Sequence, residues 1–299
     1  MPYTTLIDVP ALRDLIDMPS VAVPGVEARG VPAPRVALID CRFDLANPPA
    51  GRAAYLAGHL PGASHADLER DLSAPVGPAT GRHPLPDPQA LAERLGAWGV
   101  DGTTQVIAYD GANGSFAARL WWLLRWLGFG RVAVLDGGLA AWVAAGGALQ
   151  TGPLERPARR FAAQPDPAAW LDTAAVAAAR HDAARLIIDA RAPERYAGAV
   201  EPLDPVAGHV PGAVNHPFAM NLGADGRFLP PAELRRRWLE RLGPTTPGGA
   251  IAMCGSGVTA CHNLLALEIA GLPGARLYAG SWSEWIRDPA RPVATGSEP

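Results

Sequence analysis

The chain has 299 residues, 48% hydrophobic and 18% charged, with a formal charge of −3. That apolar content can fill the cores of about two domains, which excludes a disordered chain. The lack of a basic excess argues against nucleic-acid binding, and since all 26 basic residues are Arg, Lys-based chemistry is excluded as well.

The N-terminus, with Asp8, Asp14 and Asp17, shows neither a secretory signal nor a transit peptide. No uninterrupted run of 18 apolar residues is present, so no membrane span is expected. The first predicted strand is Val36–Asp40, followed by the turn GHLPGA from Gly58 and the Pro-rich loop ATGRHPLP around His83. A second strand, Gln105–Tyr109, leads into the loop after Asp110. Ala117, Leu120, Trp121 and Leu124 then keep i, i+3, i+4, i+7 spacing and predict a helix ending at Gly128. A third strand, Arg131–Leu135, precedes LDGGLAAW and Trp142. The Trp cluster Trp121, Trp122 and Trp126 reads as core and interface packing, not as a cofactor box.

The same landmarks return in the same order roughly 145 residues later, a period that means two copies of one domain. Predicted strands Arg185–Asp189, Ala250–Met253 and Ala275–Tyr278 match the first three. GHVPGA, Gly271 and Trp285 repeat the turn, the helix end and the late Trp. The expected division is a first domain over 1–149, a Pro- and Arg-containing linker over 150–167, and a second domain over 168–299. Each domain is an α/β unit, a mainly parallel sheet with helices on both faces, whose sites belong at the carboxyl ends of strands.

The differences between the copies point to chemistry. Where Asp110 follows the strand VIAY, Cys254 follows AIAM. Cys254 thus precedes a small-residue loop, Gly255-Ser256-Gly257-Val258-Thr259, and then a helix N-terminus. Curled backbone N–H groups and the helix dipole both favour a thiolate there, or a persulfide anion. Asp110 cannot be a sulfur nucleophile, so the first copy is expected to be catalytically silent. Ala260 stands where a CX5R phosphatase needs Arg, and Gly257 where a CxxC redox pair needs Cys. Cys261 reads as a helix-face residue. Three cysteines give no disulfide framework and suggest a reducing compartment, the cytoplasm by default. The Cys and His spacings imply no metal.

His59 and His209 occur in both copies and read as structural pins of the G-H-x-P-G turn. Arg191 and Arg195 lie just past the strand ending at Asp189 and are candidates to bind a substrate carboxylate. Arg42 matches Arg191 by spacing, so Arg191 is also open to a scaffold reading; Arg195 has no counterpart.

The duplicated layout, with YDGANGSFAARLWWLLRWLGF, LDGGLAAW, DARAPERYAG, GHVPGA, CGSGVTACH and AGSWSEW, resembles the two-domain rhodanese superfamily, and within it the mercaptopyruvate branch. The resemblance spans about Asp40 to Trp285. It implies sulfur transfer from 3-mercaptopyruvate through a Cys254 persulfide to a thiol, a thioredoxin-like protein or cyanide, with no organic cofactor. It also implies substrate binding by Arg195, and a proton shuttle by His83 with Ser256 and Asp71. Thiosulfate is the alternative donor, although the basic pair of thiosulfate enzymes is replaced by Gly255 and Ser256. A noncatalytic sulfur-carrying module is the alternative from another class. In one departure, Leu203 stands near the place of a second carboxylate-binding Arg.

Overall fold

The computed structural model describes residues 1–17 and 36–299. The first half contains β1 (Leu6–Ile7), α1 (Val9–Asp17), β2 (Val36–Asp40), α2 (Pro49–Ala57), β3 (Ser64–His65), α3 (Pro88–Ala97), β4 (Gln105–Tyr109), α4 (Ala117–Trp126), β5 (Val132–Leu135) and α5 (Gly138–Ala144). The second contains β6 (Trp170–Leu171), α6 (Thr173–Ala179), β7 (Leu186–Asp189), α7 (Pro193–Tyr196), β8 (Ala213–Asn215), α8 (Pro231–Leu242), β9 (Ala250–Met253), α9 (Ala260–Ile269), β10 (Arg276–Tyr278) and α10 (Ser281–Trp285).

Each half forms a five-stranded sheet, in the orders β1-β5-β4-β2-β3 and β6-β10-β9-β7-β8. All strand pairs are parallel. Every residue of β4 and β9 is buried, as expected of central parallel strands covered on both faces. The six predicted strands appear with starts displaced by at most one residue. The edge strands β1, β3, β6 and β8, two or three residues long, are too short to show a period-2 pattern. They form because a neighbouring strand supplies the pairing.

The shared turns have one explanation. His59 Nδ1 sits 2.8 Å from the Tyr55 carbonyl oxygen and its ring stacks on Tyr55; His209 does the same with Tyr196 at 2.9 Å. His59 then pairs with Gln150, and His209 with Ala294, in isolated antiparallel bridges. Both histidines are therefore structural, and each clasps the segment that leaves its own copy. The residues from 150 to 167 follow the first half closely: Arg159 N–H reaches the Gly96 carbonyl, Asp166 N–H reaches the Trp126 carbonyl, and Phe161 is buried against Phe129.

One hydrophobic core spans both halves. Nearly all of α4 is buried, including Trp121, Trp122 and Trp126, and it packs against α9 of the second half. The largest hydrophobic cluster runs from β2 and β4 through α4 to Cys254, Cys261 and Leu265. Separating the halves would expose that apolar surface, which costs far more than a polar domain boundary. Calorimetric unfolding should accordingly give one cooperative transition, and two resolved peaks would contradict the shared core.

Candidate active site

Cys254 directly follows β9 and is nearly fully buried. Its N–H donates to Ser281 Oγ at 3.1 Å, and its carbonyl accepts the Trp282 N–H at 3.0 Å. Ser283 N–H binds the Gly255 carbonyl at 2.8 Å. The loop after the cysteine is thus clamped to the start of α10. Gly257 turns it with φ 76°, and a Cβ there would strike the Ala279 carbonyl oxygen, so both its backbone and its surroundings demand glycine. Among the described residues, the N–H groups of Ser256 to Ala260 have no protein acceptor. They are free to face an anion at the N-terminus of α9.

The first half shows what such a loop holds. There the Asp110 carboxylate accepts the N–H groups of Ala112, Gly114, Phe116 and Ala117 at 2.9–3.2 Å. Burial raises the Asp110 pKa, and these backbone bonds oppose the rise. The protein's own carboxylate fills the nest in one copy. In the other, the nest is left to the sulfur of Cys254 and whatever it binds.

His83 and Ser256, far apart in sequence, meet: His83 Nδ1 lies 2.7 Å from Ser256 Oγ. Burial, and the charges of Arg119 and Arg82, lower the His83 pKa to about 3, so the ring is neutral at physiological pH. Arg195, on α7, projects over the loop. Its Nη2 and Nη1 lie 3.5 and 3.7 Å from where a Cβ on Gly255 would stand. Glu201 holds it, with Nη2 donating at 2.7 Å. Val258 is buried in the shared core, and Thr259 leads into α9.

Residues 28–145 and 172–288 each match the family described as the Rhodanese-like domain. The chain belongs to the rhodanese family. It is 55% identical over 265 residues to a Pseudomonas aeruginosa protein provisionally named a 3-mercaptopyruvate sulfurtransferase, covering 88% of this chain and 93% of that one. A Mycobacterium tuberculosis relative, 40% identical over 263 residues, covers 88% of this chain and 92% of its own length and is provisionally named a thiosulfate sulfurtransferase. The crystal structure of SseA from Escherichia coli, titled as a study of 3-mercaptopyruvate sulfotransferases, superposes with a TM-score of 0.76 at 33% identity. That match covers 94% of this chain and all of the other.

Two expected roles in this rhodanese do not fit the geometry. Arg191 is not a substrate ligand: its guanidinium is 1% exposed and is consumed by Asp189, Glu201 and the Gly208 carbonyl, with its plane over Trp282. Arg42 makes the same pairing with Asp40 and the Gly58 carbonyl, so the scaffold reading holds for both. Asp71 accepts from Arg70, Arg94 and the Asp67 N–H, and no hydrogen bond joins it to His83 among the described residues. Cys261 lies with its sulfur on the Gly257 carbonyl at 3.3 Å, and burial pushes its thiol up to about 12. It is a core residue and not a second nucleophile.

Three residues at the site escaped sequence reasoning. Ser281 has φ 53°, an unusual value for a side chain, yet its hydroxyl supports the Cys254 N–H. Its counterpart in the first half is Gly138, with φ 54°. Aligning LDGGLAAW with YAGSWSEW would have exposed this Gly-to-Ser change. Arg119 is fully buried and donates to the Gly257 carbonyl at 3.0 Å and the His83 carbonyl at 3.2 Å. Its position inside an apolar helix was the available signal. Arg82 adjoins His83 and reaches over Gly255, and only tertiary contact reveals it.

Buried neutral histidines predict a stability profile. His83 and His262 are lowered to about 3 and His216 to about 4, chiefly by burial. An unfolded histidine titrates near 6.5, so below that pH the unfolded state binds more protons and gains stability. Each should cost about 2 kcal/mol of folding stability between pH 7 and pH 5. Denaturant midpoints should therefore fall steeply over that range, and a flat profile would show that these rings are protonated in the folded protein.

Proposed function

We propose that the chain transfers sulfur from 3-mercaptopyruvate to a thiol, a thioredoxin-like protein or cyanide, with Cys254 as the covalent carrier. The observation that supports this most directly is that the loop N–H groups of Ser256 to Ala260 have no protein acceptor among the described residues, whereas the Asp110 carboxylate accepts the N–H groups of the matching loop in the first half. The names of the relatives point to the same chemistry. Those named for 3-mercaptopyruvate include the Pseudomonas protein and an Escherichia coli protein 36% identical over 262 residues. The working division is a first domain over 1–149 without a nucleophile, a linker over 150–167, and a catalytic domain over 168–299.

In the first transfer, the Cys254 thiolate attacks the sulfur of 3-mercaptopyruvate. The new S–S bond forms as the carbon–sulfur bond breaks, and its electron pair passes into the enolate of pyruvate. The enolate takes a proton and leaves as pyruvate, while the transferred sulfur remains as a Cys254 persulfide. The proton lost when that persulfide ionises balances the one taken up by the enolate. Ser256 Oγ, held by neutral His83 at 2.7 Å, is the group to which this reading assigns the passing of that proton. The loop N–H groups and the α9 dipole stabilise the outer sulfur as an anion. In the second transfer, an acceptor thiolate attacks the outer sulfur, the persulfide S–S bond breaks, and Cys254 leaves as thiolate. Arg195 binds the donor carboxylate through the N–H groups that Glu201 leaves free. Three unpaired cysteines suit a reducing compartment, consistent with the cytoplasm. Among the described residues, no helix is long and apolar enough to cross a membrane.

Intact mass spectrometry tests the carrier. After mixing with 3-mercaptopyruvate, the native protein should gain one sulfur, about 32 Da, and Cys254→Ser should gain none. Cys261→Ala should load like the native chain. Loading of Cys254→Ser would overturn the assignment, and faster loading from thiosulfate would transfer the donor role to it. No loading from either donor would favour a noncatalytic module.

A further inference from the structure

A cavity rich in charge lies in the first half, apart from the cleft. Its volume is about 360 Å³, and it sits beside β3, between α2, the end of α3 and the segment at 153–156. No residue that lines it belongs to the Cys254 loop or to the loop around His83. Arg52, Arg70, Arg94 and Arg156 line it, with Asp71 and Glu155 as the acids. His65 lines it too, and burial lowers its pKa, so the ring adds no charge at neutral pH. Four arginines against two acids leave the lining with a net charge of +2.

The fold holds these charges in place without cancelling them. Asp71, its side chain 1% exposed, accepts from Arg70 at 3.0 Å and from Arg94 at 3.1 Å, so one buried acid aligns two cations. Arg156 donates to the carbonyls of Val36 and Gly62, which satisfy N–H groups but supply no counter-charge. Arg52 is exposed and makes no hydrogen bond or ion pair among the described residues. Two neutral groups are also unspent. Ser64 is 5% exposed, yet its hydroxyl has no hydrogen-bond partner among the described residues. His65 places Nε2 3.3 Å from the Arg42 carbonyl oxygen and leaves Nδ1 unpartnered. Where Ser64 pairs with Ile39, the second half pairs Val214 with Ile188. A strand position that is apolar in one copy and polar in the other is a candidate for function, by the same comparison that singled out Cys254.

We propose that this cavity binds a tetrahedral phosphate dianion, either free inorganic phosphate or the phosphate group of a small ester. Two negative charges match the net charge of the lining. Guanidinium forks suit phosphate oxygens, and the Ser64 hydroxyl is a further donor. The volume admits the phosphate together with a small organic body, to which Pro153 and Leu154 offer an apolar wall. The site stands apart from the sulfur-transfer reading and rests on other residues. Asp71, which the resemblance placed in a proton relay, here orients two cations instead.

Calorimetric titration of the full chain at about pH 8 tests this with three probes: inorganic phosphate, methyl phosphate and dimethyl phosphate. The first two are dianions at that pH, while dimethyl phosphate keeps the tetrahedral centre with a single charge. The native chain should bind the dianions saturably, with Kd on the order of 0.1 mM, and dimethyl phosphate at least about tenfold more weakly. Arg52→Gln should weaken the dianions about tenfold, and Ser64→Ala about threefold. Arg52 makes no contact that folding needs, so this variant should still load sulfur on Cys254 at the native rate. Arg195→Gln should leave dianion binding unchanged, which separates this cavity from the cleft. Tighter binding of methyl phosphate would assign the site to an ester, and tighter binding of inorganic phosphate to the free ion; both support it. Equal binding of dimethyl phosphate, native affinity in Arg52→Gln, loss of binding in Arg195→Gln, or no saturable heat up to about 10 mM would each overturn it.

Discussion

The buried guanidinium of Arg119 ties the two halves together at the point where their chemistry meets. Among the described residues it has no carboxylate partner. Its N–H groups donate instead to the carbonyls of Gly257 in the Cys254 loop and of Leu72, His83 and Pro84 in the facing loop. A fully buried cation is expensive unless such acceptors are held in place. The Cys254 loop and the loop that carries Arg82 and His83 are thus both held by one side chain of α4. That helix is itself fixed by its packing on α9. The burial lowers the Arg119 pKa, and the sulfurs of Cys261 and Cys254 act against the shift. The cation that organises the site also lends it positive potential.

Duplication makes the protein its own control. The two sheets have corresponding strand orders, and the two backbone bonds of the clamp between the post-strand loop and the following helix are repeated. Leu139 N–H on the Asp110 carbonyl corresponds to Trp282 N–H on the Cys254 carbonyl. What differs is the occupant of the nest and the residue behind it. A carboxylate closes the first nest from within. In the second, a short thiol leaves room, and Ser281 takes the left-handed backbone position that Gly138 holds in the first. The strain of that position is offset by the support its hydroxyl gives to the Cys254 N–H.

The half that carries Asp110 in place of Cys254 contributes to the site in another way. Its loop around residues 80–85 delivers His83 to Ser256 and Arg82 to Asp204. Its α4 delivers Arg119 to the loop itself. The cleft is assembled from both copies, in keeping with a core that runs through both without interruption.

The sequence by itself determined the duplication, the central strands and the Cys254 loop. These are legible because they are local. Parallel strands buried on both faces appear as short apolar runs, and a small-residue loop after a strand announces itself wherever it stands. Position after a strand and the lack of a counterpart singled out Arg195, the resemblance added His83, and the comparison of Arg42 with Arg191 already left room for a scaffold role. Tertiary structure alone decided which charges face the sulfur. Arg191 turned inward because Asp189 lies beside it, Asp71 was taken by Arg70 and Arg94, and Arg82 entered the site from the other half. A guanidinium is satisfied by whichever acceptors the fold brings near. No local pattern encodes a partner more than 100 residues away, such as Asp204 for Arg82.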